Sequence, residues 1–194
     1  MKSSLIKILS LALGLLSFSQ LSHAQVVQVD TNLGSFEITL DAENAPKTVA
    51  NFLRYVDDGS YSGSLFHRVI PKFMAQGGGY TADYENLPSY PPIENESSNG
   101  LSNTRGSIAM ARTNDPNSAT RQFFINVVDN AHLDGSKRRA GYTVFGEVTK
   151  GMEIVDIIVK QPTKNGPLPG MANVPQQKVI IEQVIRLDAV TADE

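Results

Sequence analysis

Short runs in which apolar and polar residues alternate recur along most of this chain, and only two stretches repeat at a helical spacing. That imbalance constrains the fold more than any other feature. Within residues 35–40, Phe36, Ile38 and Leu40 share one face while Ser35, Glu37 and Thr39 share the other. Together with the valine-rich run 26–31 and the intervening Asn32-Leu33-Gly34, this pattern predicts an opening β-hairpin. Further strands are expected at 65–70, 73–77, 107–111, 122–127 and 143–148, with a closing strand at 178–187. Val49, Phe52, Leu53 and Val56 follow i, i+3, i+4, i+7, which predicts a helix starting near Pro46, with Asn44 as its cap and Gly59 beyond its last turn. A second helix, 152–159, is apolar on most sides and should pack tightly. Helices so placed do not alternate with strands as a parallel α/β sheet requires. The predicted fold is mainly β, a closed eight-stranded antiparallel β-barrel capped by two α-helices. Pro162, Pro167, Pro169 and Pro175 mark an irregular crossing over the surface. Residues 78–100, too long for a turn, form a candidate functional loop.

The first residues stand apart from this pattern. Lys2 and Lys7 precede an apolar run at 8–18, and Ser22-His23-Ala24 supplies small residues three and one before a cut. Residues 1–24 therefore read as a secretory signal peptide, 25–188 as the folding domain and 189–194 as a short acidic tail. A membrane span needs about 20 apolar residues, so no stable membrane insertion is expected after cleavage. With Cys 0 the chain has no disulfide, thiol nucleophile or Cys-ligated metal, and it folds without depending on oxidation. The expected location is the periplasm. A net charge of -3 argues against nucleic acid as a partner.

Few residues suggest bond-breaking chemistry. Beyond the leader only His67 and His132 occur, far apart, which is a poor inventory for a metal site. Gly59-Ser60-Tyr61-Ser62-Gly63 has tyrosine where a serine hydrolase needs its nucleophile. Gly77-Gly78-Gly79 lacks the continuation of a dinucleotide loop and reads as a tight backbone path. The unusual residues lie in FHRVIPKFMAQGG, 66–78, and SATRQFFINV, 118–127. In the second, alternation places Phe123, Ile125 and Val127 on one face and Gln122, Phe124 and Asn126 on the other. If one face fills a barrel, the other is either a shallow apolar cleft with a few hydrogen-bonding groups or a solvated sheet face with scattered aromatics.

With GSIAMAR at 106–112 and VFGEV at 144–148, these two segments resemble the signature of the cyclophilins, the cyclosporin-binding peptidyl-prolyl cis-trans isomerases, and in particular their short exported bacterial members. The resemblance spans about 26–187. It implies a monomer that accelerates X-Pro rotation in proline-containing polypeptides and assists the folding of exported proteins, with no cofactor and no metal. It also implies Arg68 as the catalytic residue, with Gln76 beside it. Phe73, Met74, Phe124 and Leu133 would line the proline pocket, and Ala111, Arg112 and Gln122 would hold the substrate. His132 stands where many eukaryotic members have tryptophan, which places it at the pocket border and argues against cyclosporin binding. Arg112 replaces a common asparagine. The segment 135–143 is longer than the compact form, and Tyr142 takes the place of a histidine before the valine strand. The alternative within the same fold is a chaperone or adaptor that binds proline peptides without turnover.

Overall fold

The computed structural model describes residues 25–136 and 138–187, so the predicted leader, 1–24, and the acidic tail, 189–194, lie outside the described residues. Strands β1 (Gln25–Thr31) and β2 (Gly34–Leu40) pair antiparallel from Gln25↔Leu40 to Thr31↔Gly34, as the alternation predicts. Helix α1 (Pro46–Asp57) follows, then β3 (Ser64–Ile70), β4 (Met74–Thr81), β5 (Ser107–Met110), β6 (Phe123–Asn126), β7 (Val144–Lys150), helix α2 (Met152–Val159), β8 (Thr163–Lys164), β9 (Val174–Pro175) and β10 (Ile180–Leu187). Eight strands close in the order β1-β10-β3-β4-β6-β5-β7-β2, each pair antiparallel. The two helices cap opposite ends. At the Leu40 end of β2, Asp57 of α1 accepts two 2.6 Å bonds from Arg186. At the Gly34 end, Ile154 of α2 packs on the glycine.

The barrel interior is filled rather than hollow. Phe36, Phe66, Phe123 and Phe145 are buried inside it. From α1, Phe52 reaches Tyr61, Phe123 and Phe145 at centroid distances of 5.2, 5.7 and 5.2 Å. Burying such rings stabilises by about 1.5–3 kcal/mol each, and closure removes the sheet's free edges.

Four local expectations are corrected. The surface crossing contains a small ribbon, β8 against β9, whose two-residue strands are too short to show any alternation. Asn44 does not cap α1, because its amide groups bond the Asp41 carboxylate at 2.9 and 2.8 Å. Glu96 caps the helix instead, accepting from Lys47 N at 3.1 Å and from Thr48 N and Oγ1 at 2.8 and 2.7 Å, a carboxylate at the positive end of the helix. Glu96 belongs to 78–100, which is not an open loop but a strap fastened at several points. Ile93 bridges to Ala119, and Tyr90 packs on Tyr55 and beneath Arg54. Finally, α2 is less enclosed than its apolar sequence suggests, since Ile157 is 43% exposed.

Arg121 is 2% exposed. Its guanidinium donates to Gly78 O, Pro88 O and Ser60 O at 2.6 Å each and lies 5.0 Å from the centre of the Tyr55 ring. Burial pushes its pKa down, and the bonded carbonyls compensate the retained charge. An unsatisfied buried acceptor costs about 1–3 kcal/mol, so Arg121→Met should lower unfolding stability by about 3 kcal/mol or more in urea titrations. A loss below about 1 kcal/mol would show that the clamp is dispensable.

His67, on β3, is 5% exposed, sits edge-on to Tyr80 at 4.7 Å, and has no hydrogen-bond partner at Nδ1. Burial lowers its pKa to about 4, so the ring is neutral near pH 7. An unfolded histidine titrates near 6.5 and binds its proton first. Stability therefore falls as pH drops from about 6.5 to about 4, by about 3 kcal/mol in all, and levels off below that window. The lowered pKa values of Asp30, Asp57 and Asp156 act at lower pH, below the ordinary carboxylate range. His67→Gln should flatten the decline between pH 6.5 and 4, measured as urea midpoints across the range.

Candidate active site

Strand β6 separates two sets of side chains. Phe123 and Ile125 enter the main core, while Phe124 joins Met74, Ala109 and Val144 in a second apolar cluster on the opposite face. Phe73, Ala111, Leu133 and Tyr142 pack around that cluster. The face away from the barrel interior is therefore an apolar cleft, the first of the two readings the alternation allows. Asn126 does not belong to that cleft. It is fully buried and donates to Asn103 Oδ1 and Ser107 Oγ at 3.2 and 2.9 Å, while Asn130 Nδ2 donates to Asn126 Oδ1 at 2.7 Å and to Phe73 O at 3.0 Å. This amide network holds the strand ends behind the cleft. Nothing in the sequence spacing of its members announces it.

Arg68 reaches the cleft through a bulge. The pairing of β3 with β4 shifts between Phe66↔Gly77 and Arg68↔Gln76, so Phe66 points into the barrel while Arg68 faces out. Arg68 Nη1 donates to Gln76 Oε1 at 3.3 Å, and Gln76 Nε2 donates to Gln122 Oε1 at 2.9 Å. Gln122 lies over Gly79, where a Cβ would come within 2.4 Å of Nε2, and Gly78 adopts φ +84°. The glycine run thus serves as the tight backbone path expected of it. None of the ion pairs among the described residues involves Arg68, so no carboxylate neutralises its charge.

A cavity of about 170 Å³ results, lined by Arg68, Phe73, Met74, Gln76, Ala111, Arg112, Phe124, Leu133 and Tyr142. Drug-sized ligands occupy about 300–1,000 Å³, so this volume suits a single small ring. The two remaining candidates stand just outside it. Gln122 joins through Gln76, and the exposed His132 stacks on the outer side of Phe73 at 5.8 Å.

Arg112 lines the cavity and braces its wall with its side chain. The guanidinium donates to Thr113 O, Ala140 O and Gly141 O at 2.8, 2.9 and 3.0 Å and lies 4.6 Å from the Tyr142 ring centre. Tyr142 in turn meets Phe124 edge-on at 5.6 Å. Ser97 Oγ accepts from Gly141 N at 2.8 Å, and Leu133 O accepts from Tyr142 N at 3.0 Å. Residues 140–142 are thereby pinned so that Tyr142 forms one wall of the cavity.

Size alone does not select this site. A concavity of about 480 Å³ is lined by Asp41, Glu43, Leu101 and Glu147 among others, but it has neither imidazole nor cation in its wall. Among the described residues no three His, Asp or Glu side chains converge as metal ligands.

Comparison with known proteins agrees with the geometry. Residues 26–186 match the family model described as cyclophilin type peptidyl-prolyl cis-trans isomerase/CLD. The chain is 46% identical over 181 residues to peptidyl-prolyl cis-trans isomerase A of Dickeya dadantii, covering 93% of each chain. It is 49% identical over 171 residues to a peptidyl-prolyl cis-trans isomerase of Acinetobacter baylyi, covering 88% of this chain and 90% of that one. A Cryptosporidium parvum cyclophilin type isomerase, crystallised in the presence of the dipeptide Ala-Pro, shares the fold at a TM-score of 0.70 and 24% identity, over 85% of this chain and 100% of its own. A barrel of this topology, matched along nearly all its described length by isomerases at close to half identity, belongs to the cyclophilin type peptidyl-prolyl cis-trans isomerase family.

Proposed function

We propose that Arg68 and the apolar cavity beside it carry the isomerisation, with Gln76 and Gln122 orienting the peptide, in polypeptides exported from the cytoplasm. The observation that supports this most directly is a guanidinium with no carboxylate partner among the described residues, in the wall of a ring-sized apolar cavity. The X-Pro bond resists rotation by about 18–20 kcal/mol because the prolyl nitrogen shares its lone pair with the preceding carbonyl. The ring, held by Phe73, Met74, Phe124 and Leu133, stays fixed while the preceding residue turns. Arg68 donates to the nitrogen as its lone pair localises, and it does so more strongly in the twisted state than in either planar one. A charge-assisted bond contributes about 1.5–3 kcal/mol, whereas a four-decade acceleration takes about 5.5 kcal/mol. The remainder comes from cavity binding of the twisted form and from fixing the flanking amides by Gln76 and Gln122. The Ala-Pro dipeptide present with the Cryptosporidium parvum neighbour is consistent with this substrate class.

Two further features belong to the same reading. His132 offers less apolar area than an indole and is turned against Phe73, which favours weak cyclosporin binding. Only Ile157, Leu168 and Ile185 are large exposed apolar side chains among the described residues, which favours a monomer. The leader pattern at 1–24 and the absence of cysteine support export to the periplasm and a role in folding there.

Exchange of a short X-Pro peptide, followed by NMR, should be accelerated by the wild type, and Arg68→Ala should lower kcat/KM by at least tenfold, the equivalent of the lower bound on one charge-assisted bond. Full activity in that variant would remove Arg68 from the mechanism. N-terminal sequencing of protein from a fractionated culture should find Gln25 in the periplasmic fraction. Intact Met1 in the cytosol would overturn the export reading.

A further inference from the structure

Beyond the proline cavity, a second hollow of about 440 Å³ opens on the other side of the Arg68–Gln76 pair. Both residues line both cavities, so the two are neighbours across the same side chains. An extended polypeptide advances about 3.3–3.6 Å per residue, so a chain with its proline ring in the smaller cavity has residues beside it that can reach a neighbouring hollow.

The far wall of this hollow is a built feature. It is formed by residues 168–173, which the β8–β9 ribbon closes into a hairpin. Within it Gly166 N donates to Met171 O at 2.7 Å and Met171 N to Leu168 O at 3.1 Å, while Val69 N on β3 donates to Asn173 O at 2.9 Å. Asn173 accepts a left-handed φ of 59° to complete the turn. The hairpin is thus fastened to the strand that carries Arg68. Leu168, in the same wall, is 38% exposed.

The charge of this hollow is one-sided. Its wall contains Arg68, the neutral His67, Tyr80 and the amides of Gln76 and Gln122, and among the described residues no Asp, Glu or Lys. A carboxylate placed there meets an uncompensated guanidinium, whereas a lysine or arginine meets a like charge.

We propose that the second hollow is a subsite for a side chain flanking the X-Pro pair in the same polypeptide, and that it selects acidic over basic side chains at that position. The inference rests on the assignment of the proline ring to the smaller cavity. Like charges several ångströms apart in this partly solvated setting should separate the two classes by roughly threefold to fiftyfold.

The test uses peptides with one X-Pro core and either Glu or Lys at each of the positions two and three residues from it. At the position that reaches the hollow, kcat/KM should favour Glu by about threefold or more, and added salt should shrink the difference. Ala172 lines the hollow and is exposed, so Ala172→Glu should fold normally and place a carboxylate in the wall. That variant should abolish or reverse the Glu-over-Lys preference, with each rate divided by the same variant's rate on a short blocked X-Pro peptide so that any change at Arg68 itself cancels. Equal rates for Glu and Lys peptides at every position, or a preference that Ala172→Glu does not alter, would overturn the subsite. Failure of the proline-cavity assignment has a different signature, since exchange of the short peptide would then be indifferent to Arg68→Ala.

Discussion

The buried guanidinium of Arg121 fixes the geometry on which the rest of the structure depends. A cation removed from water is tolerated only where its donors are satisfied, and here the partners are backbone carbonyls from the turn after α1, from β4 and from the strap that follows it. Three stretches distant in sequence are brought to one point. The residue after this anchor is Gln122, and Phe123 and Phe124 come next. The clamp therefore sets the start of β6, and the pleat then sends Phe123 into the barrel and Gln122 and Phe124 to the cleft.

One strand thus serves two apolar clusters, one holding the fold and one shaping the site. This economy places the site on a closed, filled barrel. Most of its side chains stand on β3, β4 and β6 or within a few residues of them, and those strands are braced from behind by the Asn103, Asn126 and Asn130 amides. The cavity is consequently braced from behind, which is what the proposed mechanism asks of it, since a twisted bond must be fitted better than a planar one.

Legibility in the sequence followed the range of the interaction. The alternation of Phe36, Ile38 and Leu40 and the stripe of Val49, Phe52, Leu53 and Val56 carry their own period, and those elements are where the pattern puts them. The grouping of Arg68, Phe73, Met74, Gln76 and Phe124 around one cavity came from motif resemblance, since no spacing along the chain brings 66–78 and 118–127 together. Pairings across long separations were silent. Glu96 caps a helix that begins some fifty residues earlier, and an Asn44 beside that helix looks like the better cap until Asp41 takes its amide groups. Arg112 reads only as a substrate-holding residue until its guanidinium is seen gripping the carbonyls at 140 and 141. The bulge at His67, which turns Arg68 outward, leaves no trace in composition.

Closure of the barrel has a consequence for the company this protein keeps. An isomerase of X-Pro bonds meets chains that are extended, with unpaired amides and carbonyls along their backbones, and such chains add readily to any open sheet edge. Here every main-sheet strand has two neighbours, and the one accessory ribbon has strands of only two residues. A client can dock its side chains in the cleft, but it finds no ladder on which to continue as an extra strand. Among the described residues, closure thus confines a client to contacts with side chains and loop backbone.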